Sequence, residues 1–428
     1  MSQLRHKKTY LGFGLGAVQS GLMLFEAFNS GNFDRFVILE VNGEIVDAVR
    51  RWNRKIVINT AGKDSIVKST ISDFEIYNPN DPDDYNAIAS AIYQADEMAT
   101  AVPSVSIYDA GENSIAGLLA NNINPDKPQI LYAAENNNYA AETLIEKIKA
   151  HEPDTRLDQF QAINTVIGKM GGVIFDRHTI DEFNLDLMTP YSRAAILVEE
   201  FNKIIISKVS LKNFKRGIEV FVEKDDLLPF EEAKLFGHNA VHSMLGFFAA
   251  LRGYTYMSEI RNDPQLYQYG MDALQNESGA FLLKKYAHLN DPLFTKEGFD
   301  FYGTDLLERM TNPYLRDEVK RICRDPIRKL GYDDRLFGTI RETLSQGVYP
   351  KILAKAVLGG ICYVINNKIE TDFTYPTSVE DLDEQKVRLM IGNIWKDHMN
   401  TMEHDESLDL VCSQLDEFQK EFIVIKKH

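Results

Sequence analysis

Hydrophobic positions in the first half of the chain fall into short apolar runs separated by stretches with helical spacing. The runs predict strands, because four to eight consecutive apolar or β-branched residues are typical of buried strands. Strands alternating with helices indicate a parallel, doubly wound α/β sheet that binds ligands at the carboxyl ends of its strands. The predicted strands cover residues 8–13, 36–39, 65–77, 99–106, 129–134 and 217–222, and the predicted helices 22–28, 47–54, 84–94 and 194–209.

The pattern changes after residue 227, where apolar residues recur at helical spacing almost to the end of the chain. This change predicts an N-terminal α/β domain over 1–225 and a mainly α-helical domain over 226–428. The predicted helices of the second domain are 231–252, 264–275, 279–287, 301–310, 317–322, 334–346, 350–367, 382–398 and 407–421.

A glycine-rich turn follows the first predicted strand. Gly14 and Gly16 match the first two glycines of a G-x-G-x-x-G pattern, and Gln19 stands where the third glycine is usual, so the helix is expected to lie slightly further from the strand. An alternative frame of the same turn uses Gly12, Gly14 and Ala17. Such a turn lets the backbone approach a pyrophosphate, and the following helix offers its free N–H groups to the phosphates. A purely structural turn is the alternative interpretation.

Glu40 ends the second predicted strand, where an acidic side chain can hold the ribose hydroxyls of a dinucleotide. A carboxylate there also repels the 2′-phosphate of NADP. The turn and the acid together predict a Rossmann-type fold for the first domain, with NAD as cofactor.

The segment after Pro229 carries an unusual set of polar side chains among apolar ones. Lys234, Asn239 and His242 follow one another at spacings i, i+5 and i+8, and Glu231 precedes the lysine. On one continuous α-helix they share an arc, with Asn239 about 140° and His242 about 80° from Lys234. Burying such an arc is costly unless its members pair or meet a polar ligand. A solvated polar face with a stray histidine is the simpler alternative.

These segments together resemble the mannitol dehydrogenase family of polyol-specific dehydrogenases, and within it most closely the mannitol-1-phosphate 5-dehydrogenases. The family pattern K-x-x-x-x-N-x-x-H is carried by Lys234, Asn239 and His242. Two further stretches are similar to family motifs: residues 134–137, which contain an acid followed by asparagine, and residues 309–329. The resemblance covers most of residues 8–345.

The resemblance implies a metal-independent, NAD-dependent oxidoreductase that acts on a secondary alcohol. Lys234 would be the base, Asn136 and Asn239 would donate to the developing alkoxide, His242 would orient a neighbouring hydroxyl, and Glu231 would relay the proton. The implied substrate-binding residues are Asn136, Lys234, Asn239, His242, Arg321 and Lys329. The implied cofactor-binding residues are Phe13, Gly14, Gly16, Ala17, Val18, Gln19, Glu40, Asn42, Ala101, Val102 and Asn136.

Simpler interpretations of several of these residues stay open. Asn136 lies in a run of three asparagines that is typical of a turn, Arg321 and Lys329 fit surface ion pairs, and Glu231 fits an exposed helix position. A zinc dehydrogenase would use the i, i+4 pair His238 and His242, although a central lysine would repel the dication. A catalytically inactive NAD-binding sensor is a remote alternative.

The chain departs from the family pattern at two places. Residues 167–170 lack the acid and arginine of the usual V-D-R-I, and Pro103 stands where a glycine is common. The substrate is therefore open among a polyol phosphate of the mannitol-1-phosphate type, a free hexitol such as mannitol, and an aldonate as in the hexuronate oxidoreductases.

Composition limits the remaining classes of function. A formal net charge of −16 argues against binding to nucleic acid or to an anionic membrane. No apolar run follows the N-terminus or reaches ~18 residues, and three widely spaced cysteines fit neither a disulfide framework nor a zinc motif. The sequence predicts a cytoplasmic enzyme with a small-molecule substrate, working as a monomer or small homo-oligomer.

Overall fold

The computed structural model describes residues 8–396, 398 and 404–423. The chain divides into two compact units, Met1–Phe230 and Glu231–His428. The functional boundary predicted between residues 225 and 226 stays a prediction. Residues 1–7 lie outside the described residues, and the expectation that no apolar run follows the N-terminus rests partly on them. Residue 397 of the predicted helix 382–398 also lies outside the described residues. No helix within the described part of the chain is both long and apolar enough to cross a membrane.

The described residues of the first unit form twelve strands in two sheets. In chain order they are β1 Lys8–Phe13, β2 Phe33–Leu39, β3 Ile56–Ala61, β4 Ile66–Ile71, β5 Glu75–Tyr77, β6 Glu97–Thr100, β7 Gln129–Ala133, β8 Phe160–Val166, β9 Gly171–Ile174, β10 Ala195–Glu199, β11 Ile205–Ser207 and β12 Val222–Lys224.

The larger sheet has the order β12-β11-β8-β7-β6-β1-β2-β5, and all of its pairings are parallel except that of β8 with β11. The strands that follow β1 in the chain lie on both sides of it, so the order reverses between β1 and β6. Doubly wound folds bind their ligands at such a point. Buried apolar residues form a cluster on each face of this sheet. The prediction of a Rossmann-type doubly wound sheet is confirmed. Its α-helices are Phe25–Ser30, Gly43–Arg51, Tyr85–Gln94, Ile115–Asn122, Ala140–His151 and Arg177–Glu182, with a π-helix at Gln19–Leu24 and 3₁₀ turns at Pro82–Asp84 and Val105–Asp109.

The smaller sheet, with the order β4-β3-β10-β9, was not predicted from the sequence. The helix predicted over 194–209 is wrong, because this stretch holds β10 and β11. All five residues of β10 are buried between β3 and β9, and a continuous apolar run does not distinguish a buried strand from a buried helix. The strand predicted over 217–222 forms only from Val222 onward.

The second unit is helical, as the sequence predicts. At its centre the helix Lys351–Asn366 crosses Ala240–Arg252 so closely that a Cβ on Gly359 would lie 3.3 Å from that of Phe247. The other α-helices are Leu228–Glu232 (which contains the boundary between the units), Pro264–Asp272, Gly279–Tyr286, Lys296–Met310, Val319–Ile322, Pro326–Lys329, Phe337–Ser345, Glu384–Ile394, Glu406–Ser413 and Leu415–Phe422, and the 3₁₀ turns are Met257–Asn262, Ala287–Leu289, Pro292–Phe294 and Val379–Asp381.

Two π-helices, Ala233–Asn239 and Ala273–Ser278, interrupt the predicted α-helical pattern. The continuous α-helix predicted over 231–252 is therefore wrong in its first third. The two π-helices contact each other, because the Ser278 hydroxyl donates to the Phe236 carbonyl at 2.8 Å. π-helical turns are often found at functional sites.

Candidate functional site

A cavity of about 560 Å³ lies at the carboxyl ends of β1, β2 and β6 in the first unit. Its volume is within the range of small-molecule and cofactor sites. The residues that line it are Phe13, Gly14, Leu15, Gly16, Ala17, Val18, Leu39, Glu40, Val41, Pro79, Ala101, Val102, Pro103, Ile107, Ala110, Asn113, Ser114, Ile115, Leu118 and Ala134.

The glycine-rich turn forms one wall of this cavity. Gly14 has φ of +87°, a conformation that favours glycine, and its N–H donates to the Leu39 carbonyl at 2.7 Å. A Cβ added to Gly16 would meet no atom within 4 Å, so the backbone faces open space there. The turn therefore offers a bare backbone surface that a pyrophosphate can approach closely.

Glu40 lies at the same wall and binds the turn directly. One carboxylate oxygen accepts from the Leu15 N–H at 2.8 Å, and the other accepts from the Asn42 N–H at 2.9 Å. The carboxylate thus fixes the turn against the end of β2. Each oxygen still has a lone pair for a ribose hydroxyl, since a carboxylate accepts about four hydrogen bonds.

Three of the predicted cofactor-binding residues do not line the cavity. The Gln19 side chain is fully buried and donates to the Tyr10 hydroxyl at 2.6 Å. The Asn42 side chain caps the helix Gly43–Arg51. Asn136 is exposed, just beyond the carboxyl end of β7. Their binding roles stay predictions, while the cavity includes residues that no sequence motif indicates, such as Pro79 and Asn113.

In the second unit, the π-helix changes how the predicted polar residues are arranged. The Ala240 N–H bonds to the Leu235 carbonyl five residues earlier, which is the π-helical spacing. The wider turn brings residues five apart closer together around the helix axis than on an α-helix. Lys234 and Asn239 have this spacing, so the π-helix reduces the separation of about 140° that they would have on an α-helix.

Lys234 lies in an environment that disfavours its charged form. Burial, reinforced by the nearby Arg335, lowers the pKa of Lys234 from 10.5 to about 8 against the opposing effect of Glu231. A lysine of this kind is partly neutral near physiological pH and can accept a proton. The buried His238 has its pKa well below its usual value, chiefly through desolvation and then through His242 and the surrounding cations.

Asp317 joins two of the predicted site residues. One of its oxygens lies 3.2 Å from His242 Nε2, and the other accepts from Arg321 at 2.6–2.8 Å. Asp317 is almost completely buried, and although burial raises the pKa of its carboxyl, His242 and Arg321 bring that pKa below its usual value. A stable carboxylate therefore holds the guanidinium of Arg321 by hydrogen bonds and lies within ion-pair distance of the His242 imidazole. The resemblance includes Asp317 in the block 309–329, which in the family helps to bind the polyol chain, but assigns it no individual role.

Lys329 is buried, and its ammonium donates to the backbone carbonyls of Ile322 and Arg324. Burial, aided by Arg335, lowers the pKa of Lys329 to about 8. Two of its three donors therefore hold the loop that follows the helix Val319–Ile322. Its predicted contact with substrate stays a prediction.

The rings of His238 and His242 lie 5.8 Å apart, centre to centre. Across residues 8–396, 398 and 404–423, no group of three or more His, Cys, Asp or Glu residues is placed to hold a metal ion. The zinc alternative thus lacks a third ligand among these residues.

Comparisons of sequence match the second unit to a family model and most of the chain to related proteins. Residues 226–411 match the family described as mannitol dehydrogenase C-terminal domain. The mannitol-1-phosphate 5-dehydrogenase of Caldanaerobacter subterraneus subsp. tengcongensis is 28% identical over 355 residues, which are 82% of this chain and 86% of that protein. The mannitol-1-phosphate 5-dehydrogenase of Lactococcus lactis subsp. lactis is 29% identical over 342 residues, covering 78% and 82% of the two chains.

Solved structures share the fold over nearly the whole chain. A D-sorbitol dehydrogenase in substrate-free form superimposes with a TM-score of 0.74 at 13% identity, covering 97% of this chain and 94% of the other. The mannitol 2-dehydrogenase of Pseudomonas fluorescens, in ternary complex with NAD and D-mannitol, gives a TM-score of 0.66 at 14% identity, covering 99% and 95%.

Proposed function

We propose that this chain, which belongs to the mannitol dehydrogenase family, is an NAD-dependent dehydrogenase. It interconverts a sugar alcohol phosphate and the corresponding ketose phosphate, and the proposed pair is mannitol 1-phosphate and fructose 6-phosphate. The observation that supports the proposal is the π-helical segment, whose wider turn reduces the angular separation of Asn239 from Lys234, a lysine with a pKa of about 8. The segment thus supplies a proton acceptor and an amide donor. In alcohol oxidation the first takes the hydroxyl proton and the second stabilises the developing alkoxide.

The cavity of the first unit fits the dinucleotide. The bare backbone at Gly14 and Gly16 is suited to the pyrophosphate, and Glu40 is suited to the adenosine ribose. NAD supplies the hydride acceptor when it is bound. Positioning, proton transfer and stabilisation of the alkoxide are then the tasks of the protein.

Lys234 performs the proton transfer in this proposal. Its neutral form takes the hydroxyl proton from the substrate, and the Asn239 amide donates a hydrogen bond to the oxygen as negative charge develops. Asn136 is the second proposed amide donor, and Glu231 passes the proton to solvent. His242, held by Asp317, binds a neighbouring hydroxyl of the substrate.

The charges around Lys234 favour a substrate with an anionic group. Arg335 is close enough to lower the pKa of Lys234, and both Arg335 and Arg309 lower that of His238. Such a concentration of cations, in a chain with a net charge of −16, favours a phosphate over a neutral hexitol. An aldonate has a single negative charge and is the less favoured anionic substrate.

A substrate panel tests the proposal. We expect NAD reduction to be fastest with mannitol 1-phosphate and slower with free mannitol, sorbitol, altronate and mannonate, measured as kcat/KM at one pH. Faster turnover of an aldonate or a free hexitol would replace the proposed substrate but keep the reaction. NAD reduction by none of these compounds would contradict the proposed function.

We expect a preference for NAD over NADP of more than ~10-fold in kcat/KM, because the Glu40 carboxylate repels a 2′-phosphate. Steady-state kinetics with both cofactors measure the preference. Glu40→Gln removes the charge but keeps an acceptor oxygen, so it should reduce the ratio of kcat/KM for NAD to that for NADP. Equal use of NADP by the unmodified protein would contradict the role given to Glu40.

Activity is expected to survive prolonged treatment with a strong chelator, because Lys234 and Asn239 provide the proton acceptor and the alkoxide donor. The measurement is the rate before and after chelation and after readdition of zinc. A loss that zinc reverses would instead favour His238 and His242 as ligands.

A further inference from the structure

A buried carboxylate lies beside the cofactor cavity and has no role in the proton transfer described above. Glu135 follows β7 and is only 5% exposed. Its carboxylate accepts from the Thr100 hydroxyl at 2.9 Å, from the Val102 N–H at 3.0 Å and from the Tyr108 hydroxyl. A buried carboxylate needs such donors, since desolvation raises the pKa of Glu135 and the three donors oppose the rise.

The three donors all belong to one stretch of chain. Thr100 is the last residue of β6, Val102 follows it, and Tyr108 lies in the 3₁₀ turn Val105–Asp109. Between Thr100 and Tyr108, four residues line the cavity: Ala101, Val102, Pro103 and Ile107. Glu135 therefore fastens both ends of a cavity wall whose bonding to the neighbouring strand includes the Ala101 N–H, which donates to the Phe13 carbonyl at 3.2 Å.

This wall lies on the opposite side of the cavity from Glu40. Glu40 follows β2 and is suited to the adenosine ribose, whereas the wall follows β6 on the other side of β1. A dinucleotide that spans the point where the strand order reverses has its adenosine on the β2 side and its nicotinamide on the β6 side. The wall held by Glu135 thus faces the nicotinamide half.

We propose that Glu135 is a positioning residue that sets residues 101–108 for the nicotinamide ribose and ring. The proposal rests on the proposed use of NAD. It assigns Glu135 an effect on one half of the cofactor only, because the pyrophosphate and adenosine contacts come from the glycine-rich turn and Glu40.

Glu97 provides a matched control. It is also a fully buried carboxylate of the same sheet, and it too accepts from a tyrosine hydroxyl (Tyr132, at 2.9 Å) and from a backbone N–H (Gly217). It lies at the first residue of β6, whereas Thr100, which binds Glu135, is the last. The two carboxylates occupy opposite ends of the sheet, and Glu97 additionally pairs with Lys8 at 3.3 Å.

The experiment measures the Kd of NAD and of ADP-ribose, which lacks nicotinamide, by calorimetric titration of the full chain. We expect Glu135→Gln to raise the Kd of NAD roughly tenfold or more and to leave that of ADP-ribose within about twofold, because a displaced wall affects only the nicotinamide half. Tyr108→Phe, which keeps two of the three donors, should change the Kd of NAD in the same direction by less. Glu97→Gln should leave the ratio of the two Kd values unchanged.

Equal weakening of both ligands by Glu135→Gln, or the same change in ratio with Glu97→Gln, would show a general effect on folding and overturn the proposal. Unchanged NAD binding in Glu135→Gln would also overturn it. If Glu135→Gln does not fold, Tyr108→Phe serves as the test. A higher ratio of the Kd of NAD to that of ADP-ribose in this variant supports the proposal, and an unchanged ratio overturns it. Failure of the unmodified protein to bind NAD would count against the proposed function instead.

Discussion

Replacing Lys234 with alanine is expected to lower kcat for alcohol oxidation by roughly 10²–10⁴-fold, the range for a positioned acid–base group. NAD binding should change little, because the proposed cofactor contacts belong to the first unit. The pH dependence gives the sharper test. Lys234 accepts a proton only when it is neutral. The rate of alcohol oxidation by the unmodified protein should therefore rise with pH through about 8, the pKa of Lys234, and the rate of ketose reduction should fall over the same range.

The ionisation near pH 8 should be missing from the pH profile of Lys234→Ala. Lys285→Ala provides the control, since Lys285 pairs with Glu232 and Glu342 in the same unit and has no role in the proposed site. Its pH profile should match that of the unmodified protein. If Lys234→Ala raised KM alone and kept both kcat and its pH dependence, the lysine would be a binding residue and His242 the next candidate base.

The second large effect is expected from Asp317→Asn, with kcat/KM about 10²-fold lower. The amide removes the negative charge that pairs with Arg321 and faces His242, and small misplacements of a positioned group cost about this much. The change also destabilises the fold, but by less than the about 3–5 kcal/mol of a fully buried ion pair, because the Arg321 side chain is 39% exposed. Activity is therefore measured well below the Tm of the variant.

Glu384→Gln is the matched control, because Glu384 also forms an i, i+4 pair with an arginine, Arg388, but on an exposed helix face. It should change neither Tm nor kcat/KM appreciably. Asp317→Asn with a lowered Tm and normal kinetics would restrict Asp317 to a structural role.

The alternation of strands and helices was enough to predict the doubly wound class of the large sheet and the helical second unit, although β8 and β11 of that sheet were not predicted as strands. The small sheet was missed because β10 is buried on both sides, so its sequence lacks the alternation that identifies a strand. The π-helix at Ala233–Asn239 was missed for a different reason. The Phe236 carbonyl of this π-helix accepts a hydrogen bond from Ser278, which lies 42 residues later in the chain. Helical periodicity in the sequence gives no information about such a distant partner.

The candidate site was likewise only partly predictable from the sequence. Motifs predict side chains whose spacing along the chain is fixed, as for Lys234, Asn239 and His242. They do not identify the groups that tune or hold those side chains, such as Arg335 and Asp317, which only the tertiary structure brings near them. The sequence also cannot distinguish whether Gln19 faces the cofactor or the core, and the structure places its side chain in the core.

The placement of Gln19 has a consequence for how this chain can vary. A Cβ on Gly12 would lie 2.0 Å from Gln19 Nε2, so any larger residue at position 12 collides with the glutamine. Glycine at position 19, which would restore the usual fingerprint, would leave a void and deprive the buried Tyr10 hydroxyl of its donor. The three positions are therefore expected to covary, and a designer who imports a fingerprint from a relative must exchange Tyr10, Gly12 and Gln19 together.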